Sequence, residues 1–197
     1  LSLAYEIDSD ANIYDSTASL FGINHIGLSV QDLDATLDFY LTATNFKLVK
    51  REVVANNNDA DRLFGRKGVA YERAVLEAPN MLFELTEFSH NRETPMRMMP
   101  VYGPGMTHTC FQSPAHLSGY DKFKQAGARM LSRGDEPVDL LGQGVTYAYA
   151  YDPEGNMLEL EQLDFSVLGG DPRKPEWVDA GLDMWMTQVA LVTHDIE

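Results

Sequence analysis

The sequence predicts an α+β fold: paired βαβββ modules forming a curved, incompletely closed mixed sheet, with helices outside. Three observations predict it. The word PNMLFEL at 79–85 recurs as GNMLEL at 155–160. Each copy closes a run that reads strand, helix, strand, strand, strand. A stretch with loop chemistry separates the two runs. Self-similarity of this kind marks repeated units that bury their apolar faces jointly.

The elements of the first run follow in order. GINHIGLSV (22–30) is apolar and partly alternating, as a strand should be. QDLDATLDFYLTATN then reads as a helix, with Asp32 placed to cap it and Leu33, Leu37, Tyr40 and Leu41 on one face. FKLVKREVVA (46–55) has the β-branched content of a strand. NNNDADRLFGRKG reads as a polar loop, and 68–78 and 80–88 as two strands joined by a tight Pro-Asn turn.

A connector, SHNRETPMRMMPVYGPG, carries three prolines and three methionines. Its apolar weight suits a segment that packs over something. The pattern then restarts. MTHTCFQS (106–113) is a strand, and HLSGYDKFKQAG a helix with Tyr120 and Phe123 on one face and Gly127 as its stop. Residues 128–138 read as an interrupted strand, and 144–152 and 156–164 as two more. At the end, TQVALVTHDIE (187–197) aligns without gaps on NHIGLSVQDLD (24–34). Either a further module opens there, or the strand docks elsewhere, or two short strand-like segments coincide. The organisation is an N-terminal arm (1–21), a first module (22–89), a linker (90–104), a second module (105–164) and a C-terminal extension (165–197).

Composition limits the function classes. The 197 residues are 44% hydrophobic and 23% charged, ordinary for a globular protein, and the net charge is -15. Such a chain repels phosphate backbones and anionic surfaces, so neither nucleic acid nor membrane is expected as a partner. The single cysteine, Cys110, excludes an internal disulfide framework and a thiolate metal cluster. No apolar run approaches the roughly 20 residues of a membrane span, and the acidic N-terminus lacks a signal-peptide pattern. A cytoplasmic protein is the expectation.

The chemistry lies in the repeats. Four strands and a helix can curl into half a barrel, and two halves enclose a trough. His25 and His108 lie on the first strands of the two modules, and Glu84 and Glu159 on the last. Pseudo-symmetry sets corresponding positions face to face, so two imidazoles and two carboxylates can converge on one metal ion. Each glutamate is flanked by leucine or phenylalanine, and a carboxylate there needs a cation, donors or a proton. Phe83, extra in the first copy, demands a bulge or a shifted turn. Glu161 shares the face of Glu159. Cys110 could line the trough, with a small buried hydrophobe the plainer account, and Tyr147, Tyr149 and Tyr151 wall it or orient a substrate. Glu87 is expected in solvent, His90 and His116 in surface loops, and Asp-Pro-Glu-Gly at 152–155 as turn chemistry alone.

NHIGLSVQDLDATLDFY (24–40), MLFELTEF (81–88), MTHTC (106–110) and YDPEGNMLEL (151–160) resemble the vicinal oxygen chelate superfamily, the glyoxalase, bleomycin-resistance and extradiol-dioxygenase group. The resemblance covers about residues 22–164. It implies a metal centre on His25, Glu84, His108 and Glu159. Nitrogen and oxygen ligands without sulfur suit Zn, Ni, Co, Mn or Fe(II). Two open positions would take neighbouring oxygens of a small-molecule substrate, and a glutamate, Glu159 or Glu84, would act as acid/base.

The His, Glu, His, Glu set is similar to that of glyoxalase I and implies lyase or isomerase chemistry. The family's glutathione-contacting asparagine would fall at Phe88, so glutathione is not expected. Phe88 with Met96, Met98 and Met99 suits a more apolar or aromatic substrate. An extradiol ring-cleaving dioxygenase and a non-catalytic ligand-binding protein are the alternatives. The site can close within one chain or be shared in a homodimer.

Overall fold

A computed structural model describes residues 23–90, 104–168 and 183–194. The N-terminal arm, the linker methionines Met96, Met98 and Met99, and most of the C-terminal extension lie outside the described residues. The element order is β1 (His25–Val30), α1 (Leu33–Ala43), β2 (Lys47–Val54), α2 (Asn58–Leu63), β3 (Tyr71–Glu77), β4 (Leu82–Phe88), β5 (Gly105–Pro114), α3 (Gly119–Gln125), β6 (Arg129–Met130), β7 (Val138–Asp139), β8 (Val145–Tyr151), β9 (Met157–Leu163) and β10 (Trp185–Val192). Two mixed sheets result, ordered β1-β4-β3-β2 and β10-β5-β9-β8-β6, with β7 beside β8. In each, the first strand of a module runs parallel to the last. The chain thus has the α+β architecture of two βαβββ units.

Alternation fixes which face of each sheet is buried. On β1, Ile26, Leu28 and Val30 point into the core while His25, Gly27 and Ser29 are exposed. Phe83 and Leu85 of β4, Phe111 of β5 and Leu158 and Leu160 of β9 enter the same core. So do α1 and α3, which pack on each other. Tyr40 meets Phe83 at 4.8 Å between ring centroids and Phe111 at 6.0 Å, and Phe39 meets Phe123 at 5.8 Å. The two modules therefore join through their helix-bearing faces, back to back.

Polar staples fix that junction. The Tyr40 hydroxyl donates to Asp152 Oδ2 at 2.8 Å, and Glu154 Oε1 accepts from the Asp32 backbone N–H at 2.9 Å. Both acids are buried, so the Asp-Pro-Glu-Gly turn is a clasp between modules rather than turn chemistry alone. Burial, outweighing its hydrogen bonds, raises the Asp152 pKa above the ordinary carboxylate value. Glu87 is likewise not a solvated acid. It is half-buried and accepts from the Leu33 N–H at 2.9 Å, where the helix N-terminus favours negative charge.

Local expectations and structure differ in two further places. Asp32 caps α1 as expected, accepting from the Ala35 N–H, but Leu41 is exposed. The buried stripe runs Leu33, Thr36, Leu37, Tyr40 and Ala43, so the apolar face centres one position away from Leu41. Residues 58–63, read as loop, form α2, because the Asn57 side chain caps the Asp59 and Ala60 N–H groups of a segment with no apolar period. The extra Phe83 is absorbed at the turn before β4. The β3–β4 ladder is continuous, and Leu82 takes the pairing place that Met157 takes in the second module.

β10 lies antiparallel on β5, at the edge of the second sheet. Asn80, in the first module's last turn, bonds both the carbonyl and the N–H of Met186 and ties β10 to that module as well.

Candidate active site on the second module

Because the helix-bearing faces meet, the four predicted ligands lie on the opposite faces. β9 places Glu159 opposite Cys110 of β5, and His108 stands two residues earlier on the same face of β5. The separation of His108 Nε2 and Glu159 Oε2 is 3.1 Å, with side-chain exposures of 12% and 9%. Thr107 Oγ1 faces the other ring nitrogen at 3.1 Å, and Tyr149 packs edge-on against the imidazole, so the ring is held from three sides. Gln188 of β10 donates Nε2–H to the same Oε2 at 2.9 Å. The Tyr149 hydroxyl also bonds Glu159. Burial first, then that carboxylate, raise the phenol pKa well above its usual value, which keeps Tyr149 a donor.

Around this pair lies a second polar chain. Trp185 Nε1–H donates to Gln112 Oε1 at 2.9 Å, and Gln112 Nε2–H donates to Glu161 Oε2 at 2.9 Å. Cys110, Glu159 and Glu161 each place one ligand atom within 4.8 Å of the others. The Cys110 thiol is fully buried, and desolvation raises its pKa far above the usual range.

The first module repeats the register with a different outcome. Glu84 pairs with Gly27, and His25 stands two residues earlier. Here the guanidinium of Arg73 takes Glu84, Nη1 lying 3.4 Å from both carboxylate oxygens, while Arg73 also holds Glu52. His25 is exposed, with Nδ1 3.2 Å from Asn24 Oδ1. The expectation that His25, Glu84, His108 and Glu159 meet around one metal within the chain is not met: among the described residues no cluster joins the two pairs. Back-to-back packing is the physical reason, since it turns the two ligand faces away from each other. Phe88 sits against Phe64 and Tyr71 at the far end of β4.

The His108–Glu159 pair fits a divalent cation. Metal bonds of about 2.0–2.2 Å at right angles put neighbouring ligand atoms about 3 Å apart, the separation the pair already has. The imidazole and the carboxylate supply nitrogen and oxygen donors, suited to borderline or hard ions.

Sequence reasoning missed Gln188, Gln112 and Trp185. The signal for Gln188 was present, since the gapless alignment of 187–197 on 24–34 sets it on His25. Gln112 and Trp185 carried none.

Fold and face together define a protein of two βαβββ units with a histidine–glutamate pair on the sheet face turned away from the core. The sequence pattern of the Glyoxalase/Bleomycin resistance protein/Dioxygenase superfamily matches residues 22–160, and the chain belongs to that superfamily. Among characterised relatives it is 27% identical over 143 residues to the ethylmalonyl-CoA/methylmalonyl-CoA epimerase of Cereibacter sphaeroides, a match spanning 72% of this chain and 97% of that one.

Among solved structures, a glyoxalase family protein from Bacillus cereus superposes with a TM-score of 0.65 at 19% identity, over 77% of this chain and 99% of that one. The fosfomycin resistance protein FosX from Listeria monocytogenes gives 0.51 at 16%, over 75% and 98%. A glyoxalase I variant from Zea mays gives 0.50 at 23%, over 71% of this chain but 44% of that longer one. At these identities the structures establish the fold. No helix among the described residues is long and apolar enough to cross a membrane.

Proposed function

We propose that the chain is a metal-dependent isomerase of the proton-transfer type, related in chemistry to glyoxalase-like lyases, and that His108 and Glu159 form its centre. The observation that carries this reading is the convergence of His108 and Gln188 on one buried oxygen of Glu159, with Tyr149 on the same carboxylate. A base beside an acidic C–H must be fixed in place and must not be held in a standing guanidinium ion pair. Glu159 meets both conditions, whereas Glu84 is engaged by Arg73, so Glu159 is the proton carrier and the His25–Glu84 pair is left out of the reaction.

His108 and Glu159 would hold the metal, and a bound divalent ion supplies Lewis-acid stabilisation of charge on a substrate oxygen. The protein's own groups do the rest. Glu159 takes and returns the proton at carbon. Tyr149 and Gln188 fix the carboxylate rotamer. The epimerase relative is named for a 2-alkylmalonyl thioester, whose acidic C–H lies between two carbonyl-type oxygens. That substrate class supports the reading of neighbouring oxygens around one acidic carbon.

The test is exchange with solvent. Incubated with methylmalonyl-CoA in D2O, the chain should place deuterium at the carbon between the two carbonyls. Chelator should stop the exchange, and elemental analysis should find stoichiometric metal in wild type but not in His108→Ala. Bound iron with oxygen uptake on catechols would replace this reading by ring cleavage. Ligand binding without turnover that survives chelator and Glu159→Gln would replace it by sequestration.

A further inference from the structure

We propose that Gln188 of β10 is a positioning residue that completes the His108–Glu159 site, in the place the sequence offers to His25. The ligand it serves rests on the functional reading above; its placement rests on strand pairing alone. Thr187-Gln188-Val189 aligns on Asn24-His25-Ile26, so Gln188 holds the histidine position of a module's first strand.

The pairing with β5 agrees with that alignment. His108 faces Ala190, two residues after Gln188. Conversely, the ladder steps from Met186–Phe111 to Val189–Thr109, which leaves Thr187 and Gln188 together opposite Cys110, two residues after His108. Read from either strand the pattern is the same, the relation two module-opening strands would have about a local two-fold axis. The extra residue makes a β-bulge, and a bulge re-aims a side chain. Here the re-aimed side chain is Gln188, whose Nε2 reaches the Glu159 oxygen that His108 also faces.

β10 is a fixed platform for this role. Trp185 is bonded to Gln112 on one side of the bulge, and Met186 is held twice by Asn80 of the first module. Supporting bonds of this kind set a functional group within the tolerance that a site requires. The amide brings a neutral donor and a neutral acceptor on one carbon. It holds Glu159 without the charge that Arg73 brings to Glu84, and so leaves that carboxylate its negative charge for a cation or a proton.

The experiment uses the full chain with Co(II) as probe, followed by calorimetric titration and visible absorption. Gln188→Ala should weaken Co(II) binding by about 10-fold to 100-fold and change the absorption bands. Gln188→His, the residue of the aligned position, should restore affinity with a shifted band. His25→Ala should change neither. Weakening by His25→Ala together with indifference to Gln188→Ala would overturn the assignment.

A second measurement does not involve metal. In chelator-treated protein the Gln188 side-chain amide resonance should move on Glu159→Gln and stay on Glu84→Gln. An amide indifferent to Glu159 would overturn the placement whatever Co(II) does. A wild-type chain that binds no Co(II) while its Gln188 amide responds to Glu159 would remove the metal reading and uphold the placement.

Discussion

The two modules place histidine and glutamate in the same register, yet one pair meets and the other does not. Gly27 faces Glu84 as Cys110 faces Glu159, and each histidine stands two residues upstream. What differs is the company. β3 opposes Glu84 with Val75 and brings Arg73 two pairs along, whereas β8 brings Tyr149 and Tyr147 to those places. A guanidinium neutralises its carboxylate; phenols merely hold theirs. The edges differ too. β5 is covered by β10, which contributes Gln188, while no described strand pairs with the outer edge of β1. At matched positions, the neighbours on the next strands decide whether a carboxylate is taken by a guanidinium or left with neutral partners.

The largest expected effect is on turnover. Glu159→Gln should slow deuterium exchange by about 10²- to 10⁴-fold, the usual worth of a positioned acid/base group. Glu84→Gln should leave the rate within a few-fold, and equal losses in both would erase the distinction between the modules. Next comes the shared core. Phe111 touches Tyr40, Phe46, Phe83 and Phe123, so Phe111→Ala should cost about 3–5 kcal/mol, read as one shifted thermal transition. Two separate transitions would show that the modules fold apart.

A smaller effect concerns the clasp. Burial raises the Asp152 pKa in the folded chain, so the protein binds more protons there than the unfolded chain does. The stability Asp152 contributes is then fully present below the unfolded carboxylate value of about 3.9 and is lost as pH rises through its own higher value. Asp152→Asn should flatten that part of the melting-temperature profile in the acid range. The smallest effect is at Gly27. A Cβ there would lie 3.9 Å from Glu84 Cβ, an ordinary contact, and β1 needs no left-handed backbone at this residue. Gly27→Ala should therefore be neutral or stabilising by about 0.4–1 kcal/mol in denaturant melts.

Much of this fold was legible because it is periodic. The duplicated Asn-Met-Leu word, the Asp32 cap and the alternation on β1 each dictate local geometry without help from distant residues. The strand positions of the candidate histidines and glutamates were legible for the same reason. Their grouping was not, because it depends on which faces of the modules meet, and that is settled by Tyr40, Phe83, Phe111 and Phe123 at long range. Helix α2 was missed because a single capping asparagine, not an apolar stripe, defines it. The clasp acids Asp152 and Glu154 looked like turn residues because their partners, Tyr40 and Asp32, lie in the other module.

The lone thiol carries a practical consequence. Cys110 is fully buried, bonded to Thr187 and lies beside the bulge of β10 in the same sheet, with its pKa driven up by desolvation. An alkylating reagent should reach that sulfur when β10 unpairs from β5. Labelling kinetics on unmodified protein would therefore clock how often β10 detaches, and a ligand gripping Gln188 should slow that clock.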